Sequence, residues 1–268
     1  VTEIITSTAN PSVRWVKRLQ KAKNRRAEGV ALAEGVKAVR ELCAQPERVV
    51  QLFWARPCLE KPGGRTLIDR LATSSIPHQE VAEHVLEAMA DTQSPQGVLA
   101  VAKCAPATLD DLAQSDGDVL VLDGVQDPGN VGTLIRSVAA SGGAGVVLAR
   151  ACSDPTGPKV VRAAAGAVFN VPYVVWDQPA EDLADALQAM GCRIAVARAD
   201  GKSDPARVVD GGRIAWVMGA EGGGVSDALR SRADLSVAIP MAAGVESLNV
   251  AVAGSLLLYF RVFGKAGD

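Results

Sequence analysis

The sequence predicts an α/β protein in two parts: a small α/β domain over residues 1–103 and a larger, mainly parallel α/β domain over 118–268, joined by residues 104–117. Three observations predict it. Apolar runs of strand length alternate with stretches of helical periodicity along the chain. In the second part these runs are continuously apolar, as in strands of a parallel sheet covered on both faces. Between the parts, Lys103 to Gly117 is polar and turn-rich, with Pro106, Asp110, Asp111, Ser115 and Asp116.

Asn10-Pro11 offers an N-cap followed by a proline suited to the first helical position, so the segment through Arg26 reads as one helix. Val13, Val16 and Leu19 supply its buried stripe, with Trp15 and Ala22 at the edges. Val30–Ala33, Val49–Ala55 and Gly97–Ala102 read as strands, separated by helical patterns at Val36–Ala44, Thr66–Ala72 and Ala82–Met89. In the second part, strands at Val119–Leu122, Gly145–Ala149, Arg193–Ala197, Ile214–Met218 and Leu235–Ile239 alternate with helices at Val131–Ser141, Lys159–Ala165 and Ala180–Met190. Val168–Val175 reads as extended, and Leu248–Phe260 as a closing helix apolar on all sides.

Composition excludes several chemistries. The 5 cysteines of the 268 residues are 15, 46, 48 and 40 positions apart, with no CxxC, which excludes zinc fingers and thioredoxin-type centres. The odd, unclustered count fits free thiols in a reducing cytosol. His78 and His84 do not have HExxH spacing, and no metal site is expected. The start, Val1-Thr-Glu-Ile-Ile, has no basic region leading into an apolar core, and no apolar segment reaches the ~18 residues of a bilayer span. A cytoplasmic protein with no membrane contact is the expectation.

The net charge of −2 conceals an uneven distribution: residues 1–103 carry +4 and residues 104–268 carry −6. Arg14, Lys17, Arg18, Lys21, Lys23, Arg25 and Arg26 fall within thirteen residues without an acid. The run reads either as a solvated helix face or as a phosphate-binding surface; the self-repulsion of seven unneutralised cations is what gives the second reading its weight.

Three constellations in the second part could carry chemistry. The first, Leu122-Asp-Gly-Val-Gln-Asp-Pro-Gly-Asn-Val-Gly-Thr-Leu-Ile-Arg136, is a strand end, a glycine-rich turn and a helix start, with Asn130 where an N-cap belongs and Arg136 on the polar side. Read alone, Arg136 is a surface arginine. The second, Val217-Met-Gly-Ala-Glu-Gly-Gly-Gly-Val-Ser226, places four glycines around Glu221 at a strand end; a flexible connector needs one or two, so the four favour a loop whose backbone approaches a ligand. The third, Ile239-Pro-Met-Ala-Ala-Gly-Val-Glu-Ser-Leu-Asn-Val250, ends a strand and starts a helix, with Ser247 or Glu246 as its expected cap. Neither GxGxxG nor GxxxxGK[ST] occurs in the chain, which argues against a Rossmann-type nucleotide enzyme.

Together and in this order, the three motifs resemble the SpoU family of RNA ribose 2′-O-methyltransferases, in the SPOUT superfamily. Lys159-Val-Val-Arg-Ala-Ala-Ala-Gly166 also resembles the family's mid-domain segment, with Ala164 where a serine is common. Upstream, Asn10-Pro-Ser-Val, Ala33-Glu-Gly-Val-Lys-Ala-Val-Arg-Glu41 and Ser94-Pro-Gln-Gly-Val-Leu-Ala-Val101 resemble the substrate-binding domain of two-domain members, similar to the ribosomal protein L30e fold.

The resemblance implies a trefoil-knotted α/β-knot domain after an L30e-like RNA-binding domain. It implies S-adenosylmethionine as cofactor, held around Gly219, Ile239 and Leu248, with Ala197 and Gly222 as neighbours. Arg136 would activate the ribose 2′-hydroxyl, either as a base or, more easily for a guanidinium that stays protonated, by orienting the RNA phosphate and stabilising the developing alkoxide. Asn130, Glu221, Ser247 and Asn249 would position the ribose, the cofactor or Arg136. A homodimer with sites built from both subunits is implied as well. Ribosomal RNA, specifically 23S, is the substrate suggested by the two-domain relatives. A tRNA substrate and a non-catalytic RNA-binding factor are the alternatives.

For RNA binding the expected residues are Arg14, Lys17, Arg18, Lys21, Arg25 and Arg26. The double substitution Lys17→Ala, Arg18→Ala is expected to weaken RNA binding and flatten the dependence of log K on log salt by roughly 0.7 per lost phosphate contact. Filter-binding isotherms over a salt series measure this slope, and an unchanged slope makes the segment an ordinary solvated face.

Overall fold

The computed structural model describes residues 3–205, 208 and 212–265. The chain divides into two compact units, Val1–Ala105 with Asp154–Phe169, and Pro106–Ser153 with Asn170–Asp268.

In the first unit, α1 (Pro11–Leu19) starts as expected: Asn10 accepts a hydrogen bond from Ser12 N at 2.9 Å and Pro11 occupies the first turn. The basic segment is nevertheless two helices, because α2 (Ala22–Glu28) begins after a break at Gln20-Lys21. Arg25 accounts for the break. Its Nη1 donates to the carbonyls of Leu19 and Gln20 at 2.9 and 2.8 Å, satisfying the end of α1 from the next helix. The rest of its guanidinium meets Asp154 Oδ2 at 2.7 Å and Thr156 Oγ1 at 3.3 Å, and the side chain is 3% exposed. Arg25 is therefore a buried structural cation and leaves the expected RNA-binding set. Arg14, Lys17, Arg18, Lys21, Lys23 and Arg26 are exposed.

The remaining elements of this unit are β1 (Val30–Glu34), α3 (Val36–Leu42), β2 (Val49–Trp54), α4 (Gly64–Ala72), β3 (His78–Glu80), α5 (Glu83–Met89) and β4 (Val98–Lys103). They form a mixed sheet in the order β1-β4-β2-β3, antiparallel except for the β2-β3 pair. Val13, Val16 and Leu19 of α1 close the core with Leu32, Phe53, Val85, Met89 and Leu99.

The second unit begins inside the stretch expected to be a linker. Thr108 and Asp111 form a capping box on α6 (Leu109–Ala113), whose Leu112 is fully buried in this unit's core. There follow β5 (Val119–Asp123), α7 (Pro128–Ser141) and β6 (Gly145–Ala149). The chain then returns to the first unit as α8 (Pro158–Ala163), which packs on β1. Residues 154–169 were expected in the second domain. They sit with the first because Asp154 and Thr156 hold Arg25, and Arg162 pairs with Asp91 at 3.0 Å and approaches Glu34 at 4.0 Å.

Back in the second unit come β7 (Tyr173–Trp176), α9 (Ala180–Ala189), β8 (Cys192–Ala197), β9 (Arg213–Gly219), α10 (Asp227–Ser231), β10 (Leu235–Val237) and α11 (Val250–Lys265). The segment expected to be extended from Val168 is instead a 3-10 turn at Ala167–Phe169, and β7 starts only after Pro172, which has no N–H to give to a ladder. The sheet is parallel throughout, in the order β10-β8-β9-β5-β6-β7. Val119, Val121, Val147, Val196 and Val217 pack in its core.

A polar junction ties the sheet to α11. Asp118 accepts from Ile214 N at 3.1 Å, Trp216 Nε1 at 2.9 Å and Arg261 Nε at 3.1 Å, all with little solvent access. Nearer the start of α11, Gly254 faces α7, where a Cβ would lie 2.5 Å from Leu134 Cδ2. Among the described residues no helix is long and apolar enough to cross a membrane.

Arg25→Ala is expected to destabilise the protein by about 3–5 kcal/mol, since it leaves Asp154 without its cation and the α1 carbonyls without their donor. Lys21→Ala, on the exposed face, is expected to stay within about 0.5 kcal/mol of wild type. Urea denaturation of both measures the contrast; a cost below 1 kcal/mol for Arg25→Ala is the contrary result.

Candidate functional site

Parallel strands end together, and side chains that follow their C-terminal ends share one edge of the sheet. Asp127, not Asn130, caps α7: its Oδ1 accepts from Asn130 N at 2.8 Å. Asn130 lies three residues further on, and its side chain is freed from capping. Its Nδ2 donates to Glu221 Oε1 at 2.8 Å, and its Oδ1 accepts from Asn249 Nδ2 at 3.0 Å. Asn249 Nδ2 also stands 3.5 Å from Glu221 Oε1. One residue from each of the three motifs thus meets at one point.

Asn249 has a second task. Its Oδ1 accepts from Ala251 N at 2.9 Å and Val252 N at 3.3 Å, so it caps α11 in place of Ser247 or Glu246. The same amide satisfies a helix end with its oxygen and donates to the site with its nitrogen. Glu221 rides at the tip of a tight turn closed by paired hydrogen bonds between Ala220 and Gly224, at 2.8 and 3.2 Å. Gly222 and Gly224 have φ of +80° and +61°, which a residue with a Cβ rarely adopts.

Beside this junction lies a cavity of about 590 Å³ at the ends of β8, β9 and β10. Ala197, Gly219, Gly222, Ile239 and Leu248, the five residues expected at a cofactor, all line it, as do Glu221 and Ser247. The volume suits a nucleoside-sized ligand, and the lining mixes apolar side chains with backbone polar groups. Gly219 admits no side chain, because a Cβ would lie 2.2 Å from the carbonyl carbon of Gly224. A Cβ on Gly222 or Gly224 would meet nothing within 4 Å, so the turn leaves open space on that side.

Sequence reasoning missed Met218, Arg198, Asp200, Arg230 and Met241 in the lining. Met218, Arg198, Asp200 and Met241 had position near a strand end as their signal, whereas Arg230 comes from α10 and had none. Arg198 donates to both oxygens of Asp200 at 2.8 Å, which holds that exposed carboxyl below its usual range.

Arg136 is not part of the junction. It is exposed on α7, six residues and so about 9 Å of helix beyond Asn130, and makes no hydrogen bond or ion pair with the described residues. The buried positions Val131, Leu134, Ile135 and Val138 occupy the other face. Beside it, α11 leaves Val252, Leu256 and Phe263 exposed at 49%, 40% and 68%.

Neither histidine lies at this edge of the sheet, while Cys152 does, its Sγ donating to the carbonyls of Leu122 and Ala149 at 3.2 and 3.1 Å. His78 and His84 bond backbone oxygens of Ile76 and Thr6 in the first unit. Burial pushes the Cys43 and Cys58 thiols up to about 11 and also raises Cys152 and Cys192, the reverse of an activated nucleophile.

Comparison with known proteins matches residues 118–259 to the SpoU rRNA Methylase family and residues 10–100 to the MRM3-like substrate binding domain. An uncharacterized tRNA/rRNA methyltransferase of Synechocystis sp. is 35% identical over 95% of this chain and 92% of its own. The 23S rRNA (guanosine(2553)-2′-O)-methyltransferase RlmP of Bacillus subtilis is 31% identical over 95% and 97%. Among solved structures, the AdoMet-bound rRNA methyltransferase of Sinorhizobium meliloti superposes with a TM-score of 0.81 at 27% identity, covering 97% of each chain. The SpoU methyltransferase AviRb of Streptomyces viridochromogenes in complex with AdoMet gives 0.81 at 27%, covering 97% of this chain and 100% of that one.

Substitutions at Asn249 separate its two tasks. Asn249→Ala is expected to cost about 1 kcal/mol through the lost cap, whereas Asn249→Asp keeps the cap and is expected to lose less, the helix dipole offsetting part of its repulsion from Glu221. Aspartate cannot donate to Asn130 and brings a second carboxylate next to Glu221, so ligand binding at the cavity should weaken in both variants. Thermal unfolding and ligand titration check the split; equal stability loss in the two variants contradicts the capping role.

Proposed function

Since the chain belongs to the SpoU rRNA methylase family, we propose that it transfers a methyl group from S-adenosylmethionine to a ribose 2′-hydroxyl of ribosomal RNA, in 23S RNA. The observation that carries this reading is the meeting of Asn130, Glu221 and Asn249 at the rim of a cavity lined by Ala197, Gly219, Gly222, Ile239 and Leu248.

The bound cofactor supplies a methyl group on a positively charged sulfur, an electrophile that needs no metal. The protein's task is then mainly orientation. Ile239 and Leu248 offer the cofactor apolar walls, and the backbone at Gly219 and Gly222 offers hydrogen-bonding groups at close range. Glu221 is held by Asn130, and its exposed carboxylate accepts from the ribose. Ser247, exposed on the cavity wall, donates or accepts beside it.

Arg136 stabilises negative charge developing on the 2′-oxygen; its guanidinium stays protonated, so this suits it better than service as a base. Because Arg136 stands apart from the Asn130 junction of its own chain and has no partner there, the arginine reaches the site from a second copy. The exposed apolar residues of α11, next to α7, suit the face of such a homodimer. Arg14, Lys17, Arg18, Lys21 and Arg26 contribute the RNA-binding surface of the first unit. The trefoil knot and the cytoplasmic location expected from the sequence belong to the same proposal.

Incubation of the purified protein with S-adenosylmethionine and ribosomal RNA, followed by mapping of 2′-O-methyl positions, tests the reading. Wild type is expected to modify a ribose, and Arg136→Ala to lower kcat by roughly 10²-fold or more while the cofactor still binds. Methylation of a base, no methylation at all, or full activity in Arg136→Ala is the outcome that overturns it.

A further inference from the structure

Asp123 closes β5 without solvent exposure, and each of its carboxylate oxygens is engaged. Oδ1 accepts from Arg150 Nε, and Oδ2 accepts from Ser226 N at 2.7 Å. Arg150 stands one residue beyond β6. Its Nη2 donates to the Asp123 carbonyl at 2.8 Å and reaches the Gly224 carbonyl at 3.3 Å. One guanidinium therefore joins the end of β5, the end of β6 and the far limb of the turn that carries Glu221 and walls the cavity.

Two further observations mark the residue. Arg150 has a φ of +52°, one of only two non-glycine residues described with positive φ. Glycine would occupy that conformation without strain, so an arginine there is explained by its side chain. Gly124, which faces it, has a φ of +79°, and a Cβ there would lie 3.0 Å from Arg150 Nη2, a tight contact that would press on the guanidinium. The guanidinium lies in the angle between the first motif and the glycine-rich turn, with 44% of the side chain exposed.

We propose that Arg150 is a positioning residue for the methyl transfer: it fixes the turn bearing Glu221 against the β5 end that leads into Asn130. This rests on the function proposed above. Without the fork of Arg150, Asp123 keeps its bond to Ser226 but loses its cation, and the Gly224 carbonyl loses its tether. Glu221 would then sample positions away from Asn130, lowering turnover without altering the RNA-binding surface. A purely stabilising ion pair would lower the melting temperature and leave the kinetics of the folded protein alone.

The test compares wild type with Arg150→Gly, which removes the guanidinium and relaxes the backbone, and Arg150→Lys, which keeps the charge but cannot span the three acceptors. In folded samples of both, kcat at saturating cofactor and RNA is expected to fall about 10- to 100-fold, with KM for RNA within about threefold of wild type. Amide exchange at residues 220–226 is expected to quicken in step. Wild-type kcat and exchange in both variants would overturn the proposal, whatever happens to Tm. If either variant does not fold, the other decides. An inactive wild type overturns the proposed function itself, and so is distinguishable from failure of this inference alone.

Discussion

A primary amide can donate and accept at the same time, and Asn130 uses both capacities: its nitrogen holds Glu221 and its oxygen holds Asn249. A carboxylate or an amine in its place would serve one neighbour and repel or ignore the other. The rest of the site depends on that pairing. It can form only if Asp127 takes over the capping of α7, if the glycine-rich turn brings Glu221 to α7, and if α11 begins at Asn249. The parallel order of β5, β9, β8 and β10 delivers these segments to one edge of the sheet.

Much of this was legible in the residues. The strands β5, β6 and β9 are continuous apolar runs because both faces of the sheet are covered, and α7 shows its stripe at Val131, Leu134, Ile135 and Val138. The cavity wall was legible through the order of three motifs, which no single motif would have justified. Capping was misread twice, at Asn130 and at Ser247, since several polar residues crowd each helix start and only geometry selects among them.

Long-range pairing stayed out of sight for a different reason. Arg25 reads as one cation among seven, yet Asp154, 129 residues away, draws it inside and splits the helix. The same contact draws residues 154–169 out of the second unit, across a boundary that composition placed at the turn-rich stretch after Lys103. Arg150 gave no signal either. Nothing in a sequence marks an arginine as occupying a left-handed backbone position. Local periodicity thus reported the layers faithfully, and partners far apart in the chain altered the details.

The junction at Asp118 also bears on the order in which the molecule can be completed. Arg261 reaches a carboxylate 143 positions earlier, at the head of the first strand of its sheet, where Trp216 already bonds. A ribosome releasing this chain exposes Asp118 and most of the sheet long before α11 exists, and the apolar faces of α7 and β9 must wait uncovered for it. Such distant closures make folding slow and leave intermediates prone to aggregate. Leu248 and Asn249 stand just ahead of the same helix, so a nascent chain would gain its ligand site and this tie together.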